Sequence, residues 1–383
     1  MRHRVTFNET RLRVLGLDDP LSSTDWDCKV EFDATARTTR EYQALDATST
    51  QTVISEHGWD TNSTSDRLLW SKASNQITRN VYSDEGWVTD SYGPANAACF
   101  DAVTKMPNGS CTTPAVPHSS TVRNGGLSGL AVTVWPTNNF SGPPSNMTTG
   151  LTGSAALSYS WGLSGPVEAT TTTGTQVADN FSVRLTGSMV FSTTGTFTFT
   201  GTPDDLLNVY IDDQLVVAAG CCSAISGSFY LPPGSALTRR IRMDCAEYTG
   251  YASMSLTWAG PAIAGTVAVP ISALKPRYGL VTSSTTDDSG GATLSPTTTT
   301  TYTAAGLDPV FGLPVTVSSG GLTTTTGYET GGYRRRTSRM LPAGNQATYE
   351  YYANAATVDN PCTVPVDPVN QGGMLRRWAT GTI

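Results

Sequence analysis

The sequence predicts an all-β protein built from antiparallel sheets. Gly, Pro, Thr and Asn interrupt nearly every window of a dozen residues, so helical periodicity is not sustained. Charged residues make up 14% of the chain, against roughly 25% in an average globular protein. Runs of strand-forming residues recur at intervals of roughly ten residues between Gly, Pro and Asp turns, which is typical of a sandwich or barrel.

The strand prediction is clearest in the middle of the chain. Five runs there alternate or cluster β-branched and aromatic residues, at 181–185, 195–199, 208–211, 214–217 and 252–258. A chain of 383 residues has room for two or three domains. Composition divides it into residues 1–127, 128–262 and 263–383, and the last region begins with a Thr-rich run. That run, Thr297–Thr301, is either a linker or an exposed strand.

Charge and hydropathy exclude two classes of partner. The formal net charge is −7, from 31 acidic and 24 basic residues, so a basic surface for nucleic acid is not expected. No stretch reaches the roughly 18 apolar residues of a membrane-spanning helix, and the first residues lack the apolar core of a signal peptide. We therefore expect a secreted or cell-surface segment that belongs to a longer protein.

Cysteine spacing predicts one disulfide. Cys99 and Cys111 enclose a Pro-Asn-Gly loop, and closing it would stabilise the fold by about 3 kcal/mol on a chain-entropy model. Such a bridge indicates an oxidising compartment, and reduced buried thiols are the alternative. No pair has the Cys-x-x-Cys spacing of a zinc site.

The connectivity of the other cysteines stays open. A bridge from Cys221 or Cys222 to Cys245 would fix the intervening loop and is the pairing we favour. A bridge between the two neighbours, or free thiols, are the alternatives. Cys28 and Cys362 have no evident partner.

The sequence has no recognisable catalytic constellation. Its three histidines, His3, His57 and His118, stand in unrelated polar contexts, and no Gly-x-Ser-x-Gly elbow is present. No segment predicts the deep apolar pocket that would raise the pKa of a catalytic carboxyl group. We therefore expect a non-catalytic protein with no catalytic residues.

Adjacent carboxylates mark a candidate cation site. Asp204 and Asp205 follow one predicted strand, and Asp212 and Asp213 form the turn of the next hairpin. Adjacent acids repel, and a hard cation such as calcium, which takes six to eight oxygen ligands, would relieve the repulsion. Spacing alone leaves two interpretations open, a calcium site or plain turn residues.

The middle region resembles the protective-antigen (PA-fourteen) domain family, found in bacterial toxins, glycosidases and yeast flocculins. The resemblance rests on the opening Leu-Ala-Val-Thr-Val-Trp at 130–135 with Phe-Ser-Gly at 140–142, the strand at 181–185, the run at 195–199, the Asp-Asp turn, the strand pair at 210–216 and the closing strand at 252–258. The resemblance implies an antiparallel β-sandwich. It also implies that Asp204 and Asp205 bind calcium as a cofactor, which in turn holds sugar hydroxyls. Leu206 stands where many members have Gly.

The flanking regions resemble the Tyr-Asp (YD) repeats of Rhs proteins. Each repeat has a strand that ends in Tyr, a polar turn with Gly and a following strand, as at Tyr82, Tyr328 and Tyr349. Such β-hairpin repeats are stable only when stacked, so the resemblance implies the remainder of a longer repeat chain as a partner.

Two functions fit this organisation. The first is a carbohydrate-binding or adhesion module on a repeat scaffold, with a cell-surface or extracellular glycan as its partner. The second is a structural fragment of a repeat shell that encases or delivers a toxin domain, with the sandwich as a non-binding insertion.

Overall fold

The computed structural model describes ten stretches of the chain: residues 28–43, 52–61, 66–112, 114–171, 173–287, 296–330, 333–353, 357–359, 368–370 and 373–382. Antiparallel strands dominate these stretches, and the predicted all-β class is confirmed. None of the helices found there is long and apolar enough to cross a membrane. The chain forms two compact units, Met1–Val122 with Ser284–Thr297 and Arg123–Ser283 with Thr298–Ile383.

The first unit is a meander in which each strand pairs with the next. Its strands are β1 (Cys28–Phe32), β2 (Thr38–Gln43), β3 (Thr52–Trp59), β4 (Leu68–Ala73), β5 (Gln76–Tyr82), β6 (Val88–Asn96) and β7 (His118–Arg123). A small cluster of Ile77, Cys99 and Phe100 is buried. The predicted disulfide between Cys99 and Cys111 is present, with the Cα atoms 5.3 Å apart. It holds the loop after the short 3-10 turn Ala97–Cys99.

The second unit contains a β-sandwich whose strands run from Ala131 to Lys275. They are β8 (Ala131–Trp135), β9 (Asn146–Thr149), β10 (Ser158–Gly162), β11 (Phe181–Val190), β12 (Gly195–Asp204), β13 (Leu206–Ile211), β14 (Gln214–Ala219), β15 (Ile225–Leu231), β16 (Thr238–Glu247), β17 (Ala252–Ala259), β18 (Val267–Ala268) and β19 (Leu274–Lys275). All five predicted runs lie inside these strands.

Two antiparallel sheets face each other in the sandwich. One sheet has the order β14-β13-β16-β11-β8-β9, with β19 also paired to β11. The other has the order β10-β17-β12-β15, with β18 also paired to β17. Along β17 and β12 buried residues alternate with more exposed ones, as expected for strands with one face on the core.

Aromatic side chains fill the space between the sheets. Phe191 contacts the rings of Phe197, Phe199, Phe229 and Trp258, with centroid separations of 4.6 to 6.4 Å. The pairs with Phe197 and Phe199 are edge-to-face, and such pairs add to the free energy gained from burying the rings. Gly201 lies where a Cβ atom would approach Val217 to 2.9 Å, so a larger residue there would push the sheets apart.

The remaining strands are β20 (Val281–Asp287), β21 (Thr297–Thr301), β22 (Thr316–Ser319), β23 (Leu322–Tyr328), β24 (Arg336–Met340), β25 (Asn345–Tyr351), β26 (Thr357–Asp359), β27 (Pro368–Asn370) and β28 (Leu375–Thr382). Strands β21 to β25 and β28 pair in succession, and β26 pairs with β27. The Thr-rich run is therefore a strand, the second of the two alternatives.

Three tyrosines share one structural role in these flanking strands. Tyr82, Tyr328 and Tyr351 are the last residues of β5, β23 and β25. Their hydroxyls donate to the backbone carbonyls of Leu68 (3.0 Å), Pro314 (3.1 Å) and Arg336 (2.8 Å), each 14 or 15 residues earlier. Each tyrosine thus ties the end of its strand to an earlier part of the chain.

We expect Tyr328→Phe to lower the free energy of unfolding by about 1 kcal/mol, the net value of one lost hydrogen bond. Tyr333→Phe is the matched control, because Tyr333 is 69% exposed. Urea denaturation followed by circular dichroism measures both. Equal stability of the two variants would contradict a tethering role for the Tyr328 hydroxyl.

Candidate metal and ligand site

Four carboxyl groups meet at one end of the sandwich. Asp204 ends β12, Asp205 lies between β12 and β13, and Glu247 ends β16. Asp179 lies two residues before β11, whose first residue, Phe181, pairs with Glu247. We call these four residues the acidic cluster. Strand pairing builds it, because β16 lies between β11 and β13 and brings their ends together.

Glu247 is the buried member of the acidic cluster. Residues Ile241, Met243 and Cys245 of β16 face the core, and Glu247 continues this alternation. Its side chain is 0% exposed. Neither carboxylate oxygen has a hydrogen-bond donor within the described part of the chain. A buried carboxylate without a donor is costly, so the site favours either a proton or a cation at Glu247.

The surroundings of Glu247 strongly favour its protonated form in the metal-free protein. Burial raises the pKa of Glu247 to about 8, and the negative charges of Asp205, Asp204 and Asp179 act in the same direction. Among the described residues, no Lys, Arg or His forms an ion pair with any member of the acidic cluster.

Backbone amide groups hold two of the aspartates. The Oδ2 atom of Asp205 accepts hydrogen bonds from the N–H of Tyr248 (2.7 Å) and of Thr249 (3.4 Å). The Oδ1 atom of Asp179 accepts from the N–H of Gly250 at 2.9 Å. The loop after β16 is therefore anchored on the acidic cluster. Its two tyrosines, Tyr248 and Tyr251, are 46% and 63% exposed.

A second loop contacts the cluster through a disulfide between neighbouring cysteines, Cys221 and Cys222. Both sulfur atoms lie 3.3 Å from Oδ1 of Asp204. The sulfurs of a disulfide carry no proton to donate and are not thiolate ligands, so they form the wall of the site. This loop and the loop after β16 therefore flank Asp204 and Asp205 on two sides.

The favoured pairing of Cys221 or Cys222 with Cys245 is wrong. Cys245 is a buried free cysteine. Its side chain belongs to the core face of β16, where burial raises the pKa of the thiol to about 12, while Cys221 and Cys222 lie in an exposed loop. Cys362 and the side chain of Cys28 lie outside the described residues.

The two Asp-Asp pairs have different surroundings. Asp212 and Asp213 both have positive φ angles, 49° and 66°, as in the two-residue turn of a tight hairpin. Both pair with arginines: Asp212 with Arg239 at 3.2 Å and Asp213 with Arg240 at 2.7 Å. The charge of this turn is neutralised, whereas no Lys, Arg or His of the described residues forms an ion pair with Asp204 or Asp205.

Leu206 does not distort the site. It is the first residue of β13, pairs with Ala246 and does not have a positive φ angle. The cis peptide bond lies one residue earlier, between Asp204 and Asp205. Because the backbone at Leu206 is extended, the conformational freedom of glycine is not needed at this position.

Sequence reasoning missed Glu247 and Asp179. A signal for Glu247 exists, because residues 240–245 alternate strictly between charged and apolar side chains. Extending this period of two predicts a strand in which Glu247 falls on the apolar face. No comparable signal marks Asp179, which reaches the cluster only through the pairing of β11 with β16.

Comparisons with known proteins were made at the level of sequence and of structure. No family model matches the chain, and no curated protein matches it. Among solved structures, an anti-sigma factor domain-containing protein from Clostridium clariflavum is similar at a TM-score of 0.33 and 16% identity, over 65% of this chain and 87% of that one. Another protein of that description has 22% identity and a TM-score of 0.34, over 40% of this chain and half of its own length.

Solved sugar-binding domains are also similar. The PA14 sugar-binding domain from an RTX adhesin has a TM-score of 0.31 and 14% identity, over 39% of this chain and 99% of that one. The epithelial adhesin 6 A domain from Candida glabrata, solved with Galb1-3GlcNAc, has a TM-score of 0.31 and 16% identity, over 41% of this chain and 88% of that one. All these TM-scores are below 0.5, so the site is interpreted from the geometry of this chain.

The pKa of Glu247 predicts how the metal-free protein responds to pH. A carboxyl group with a raised folded-state pKa binds its proton more tightly in the folded protein, so stability falls as pH rises from its unfolded pKa toward about 8. We therefore expect Glu247→Gln to melt at a higher temperature than the wild type in EDTA, and we expect this difference to grow between pH 5 and pH 8.5. Glu350→Gln, at an exposed position of β25, is the control. A difference independent of pH would contradict the buried, protonated state.

Proposed function

We propose that the chain is a non-catalytic carbohydrate-binding or adhesion module that binds its glycan through calcium at the acidic cluster. The buried carboxylate of Glu247, without a donor and beside Asp204 and Asp205, is the observation that carries the proposal. A cluster of this kind is unfavourable by itself, and a bound divalent cation would offset part of its negative charge.

The donor set of the acidic cluster suits calcium. All four side chains offer carboxylate oxygens, which hard cations prefer, and calcium accepts the irregular geometry of a loop-built site. Among the described residues, the oxygens of Asp204, Asp205 and Glu247 do not all lie within 4.8 Å of one another. Asp204 and Asp205 would therefore hold the ion, and Glu247 and Asp179 would add negative charge beside it. When bound, calcium supplies open coordination positions for a pair of sugar hydroxyls.

The two flanking loops supply surfaces for a sugar ring. The exposed rings of Tyr248 and Tyr251 stand on one loop, and amphipathic rings of this type pack on a sugar while their hydroxyls stay in water. The Cys221–Cys222 disulfide lines the other loop. Asp204 and Asp205 would thus contribute both to the metal site and to carbohydrate binding.

The proposed location is outside the cell. Two disulfides, Cys99–Cys111 and Cys221–Cys222, support an oxidising compartment. The flanking hairpins are proposed to be Tyr-Asp repeats and to continue into the remainder of a longer repeat chain. Their recurrent tyrosine tethers at Tyr82, Tyr328 and Tyr351 are consistent with a repeated unit.

The tyrosine tethers also favour a second candidate function. Regular, stacked hairpins could serve as a segment of a repeat shell around a toxin domain, with the sandwich as an insertion that binds nothing. The two functions differ in one measurable property, because only the first requires a ligand at the acidic cluster.

We expect the EDTA-treated full chain to bind calcium with a Kd on the order of 10⁻⁶ to 10⁻³ M, the range of sensor and extracellular sites. Asp204→Asn/Asp205→Asn should weaken binding at least tenfold, because two charged ligands are lost. Asp212→Asn/Asp213→Asn removes the same charge from the arginine-paired turn and should leave the affinity unchanged. Isothermal titration calorimetry measures all three proteins.

Two results of this titration would contradict the proposal. One is the absence of calcium binding in the wild-type chain, and the other is equal affinity in the two double variants. Either result would leave the repeat-shell function as the better interpretation. Circular dichroism spectra should be the same for all three proteins, which shows that a loss of binding is not caused by a loss of folding.

Glycan binding is tested separately on a glycan microarray. We expect signals on a limited set of glycans in calcium, their loss in EDTA, and their loss for Asp204→Asn/Asp205→Asn. The Asp212→Asn/Asp213→Asn variant should keep the pattern. Calcium binding without any glycan signal would indicate that the acidic cluster is a structural metal site and does not bind glycans.

A further inference from the structure

A second candidate site lies on the outer face of the seven-stranded sheet of the sandwich. It is an open groove of about 380 Å³, lined chiefly by Thr186, Gly187, Tyr210, Arg240, Arg242 and Arg277. Strand pairing sets its floor, because Thr186 of β11 pairs with Arg242 of β16, which pairs with Tyr210 of β13. All three side chains point away from the core.

The groove is positively charged in an acidic protein. Three arginines and one carboxylate, that of Asp213, line it, so its formal charge is 3 − 1 = +2. The whole chain has a net charge of −7. The groove therefore concentrates positive charge where the rest of the molecule would repel an anion.

Arg242 is held in position with its donors available. Its guanidinium lies 3.9 Å from the centroid of the Tyr210 ring. Its Nε atom is 3.4 Å from Oδ2 of Asp244. Within the described part of the chain, its two terminal nitrogens make no hydrogen bond, and the side chain is 41% exposed. A fixed planar guanidinium of this kind can donate two parallel hydrogen bonds to one oxyanion.

Arg240 supplies the second cation of the groove. Its Nη2 atom pairs with Asp213 at 2.7 Å, which fixes the side chain near the hairpin turn, and it remains 54% exposed. Residues Arg240 and Glu247 are seven positions apart in β16, a separation of about 23 Å along an extended strand. The groove is therefore distinct from the acidic cluster and needs no metal.

We propose that this groove binds the oxyanion groups of an acidic polysaccharide, either sulfate esters or carboxylates. Guanidinium groups match both anions in geometry. The hydroxyls of Thr186 and Tyr210 can form hydrogen bonds with sugar hydroxyls. Sulfated and carboxylated chains share this chemistry, and the experiment separates them.

The test uses the full chain in EDTA, so that calcium at the acidic cluster does not contribute. Binding of dextran sulfate, polygalacturonate and uncharged dextran is measured by biolayer interferometry at two salt concentrations. We expect the wild-type chain to bind at least one of the two polyanions and not dextran, with weaker binding at higher salt because of screening. The polyanion that binds more tightly shows whether the groove prefers sulfate esters or carboxylates.

Two variants of the groove and one control complete the design. Arg240→Gln/Arg242→Gln should weaken polyanion binding at least tenfold. Thr186→Glu keeps every arginine and the Asp213 pair but introduces a carboxylate into the floor, and it should weaken binding to a similar extent. The control is Arg336→Gln/Arg339→Gln, which removes two exposed arginines of β24, one of them over the Tyr349 ring.

Three results would overturn this inference. They are the absence of binding to both polyanions, unchanged binding in Thr186→Glu, and an equal loss in the β24 control, which would indicate a general charge effect. EDTA is present throughout, so a negative polyanion result does not contradict the calcium-dependent function. A negative calcium titration, in turn, does not contradict polyanion binding by the groove.

Discussion

The position of β16 between β11 and β13 is the constraint on which both sites depend. Continuous pairing on both sides fixes which residues of β16 face the core and which face solvent. A shift of one residue would reverse every side chain of the strand. In the observed register, Met243 and Cys245 pack in the core, and Glu247 follows them into the buried end of the sandwich. The opposite face carries Arg240, Arg242 and Asp244.

The aromatic core gives this register its stability. Phe191, directly after β11, contacts Trp258 of β17 in the facing sheet, so the core side chains of the two sheets pack against each other. Burial of these rings is favourable enough to offset the cost of a buried carboxyl group at the edge of the core. Burial raises the pKa of Glu247, and the carboxyl group stays neutral in the metal-free protein as a result.

Charge is segregated along β16 as a consequence. Carboxyl groups gather at one end, where backbone amides of the following loop donate to Asp205 and Asp179. Arginines gather at the other end, where Asp212 and Asp213 neutralise part of their charge. Two ligands of opposite character, a cation with sugar hydroxyls and an anionic saccharide, could therefore bind to one sandwich without competing. A polysaccharide that bound at both ends would gain from the high effective concentration of the second contact.

The sequence by itself determined the fold class, the central strands, the Asp212-Asp213 turn and the disulfide between Cys99 and Cys111. These features depend on local signals: alternation with a period of two, turn residues and a short loop between cysteines. The paired carboxylates at Asp204 and Asp205 were also visible as a candidate site. The membership of the flanking hairpins in the Tyr-Asp repeats stays a prediction.

Only the tertiary structure decided which residues surround those carboxylates. Glu247 lies 42 residues after Asp205, and Asp179 lies 26 residues before it. No local sequence signal connects these residues, because the pairing of β11, β13 and β16 is a long-range event. The same holds for Cys245, whose direction in β16 separates it from Cys221 and Cys222. Side-chain direction within a sheet follows from register, and register is set by the whole core.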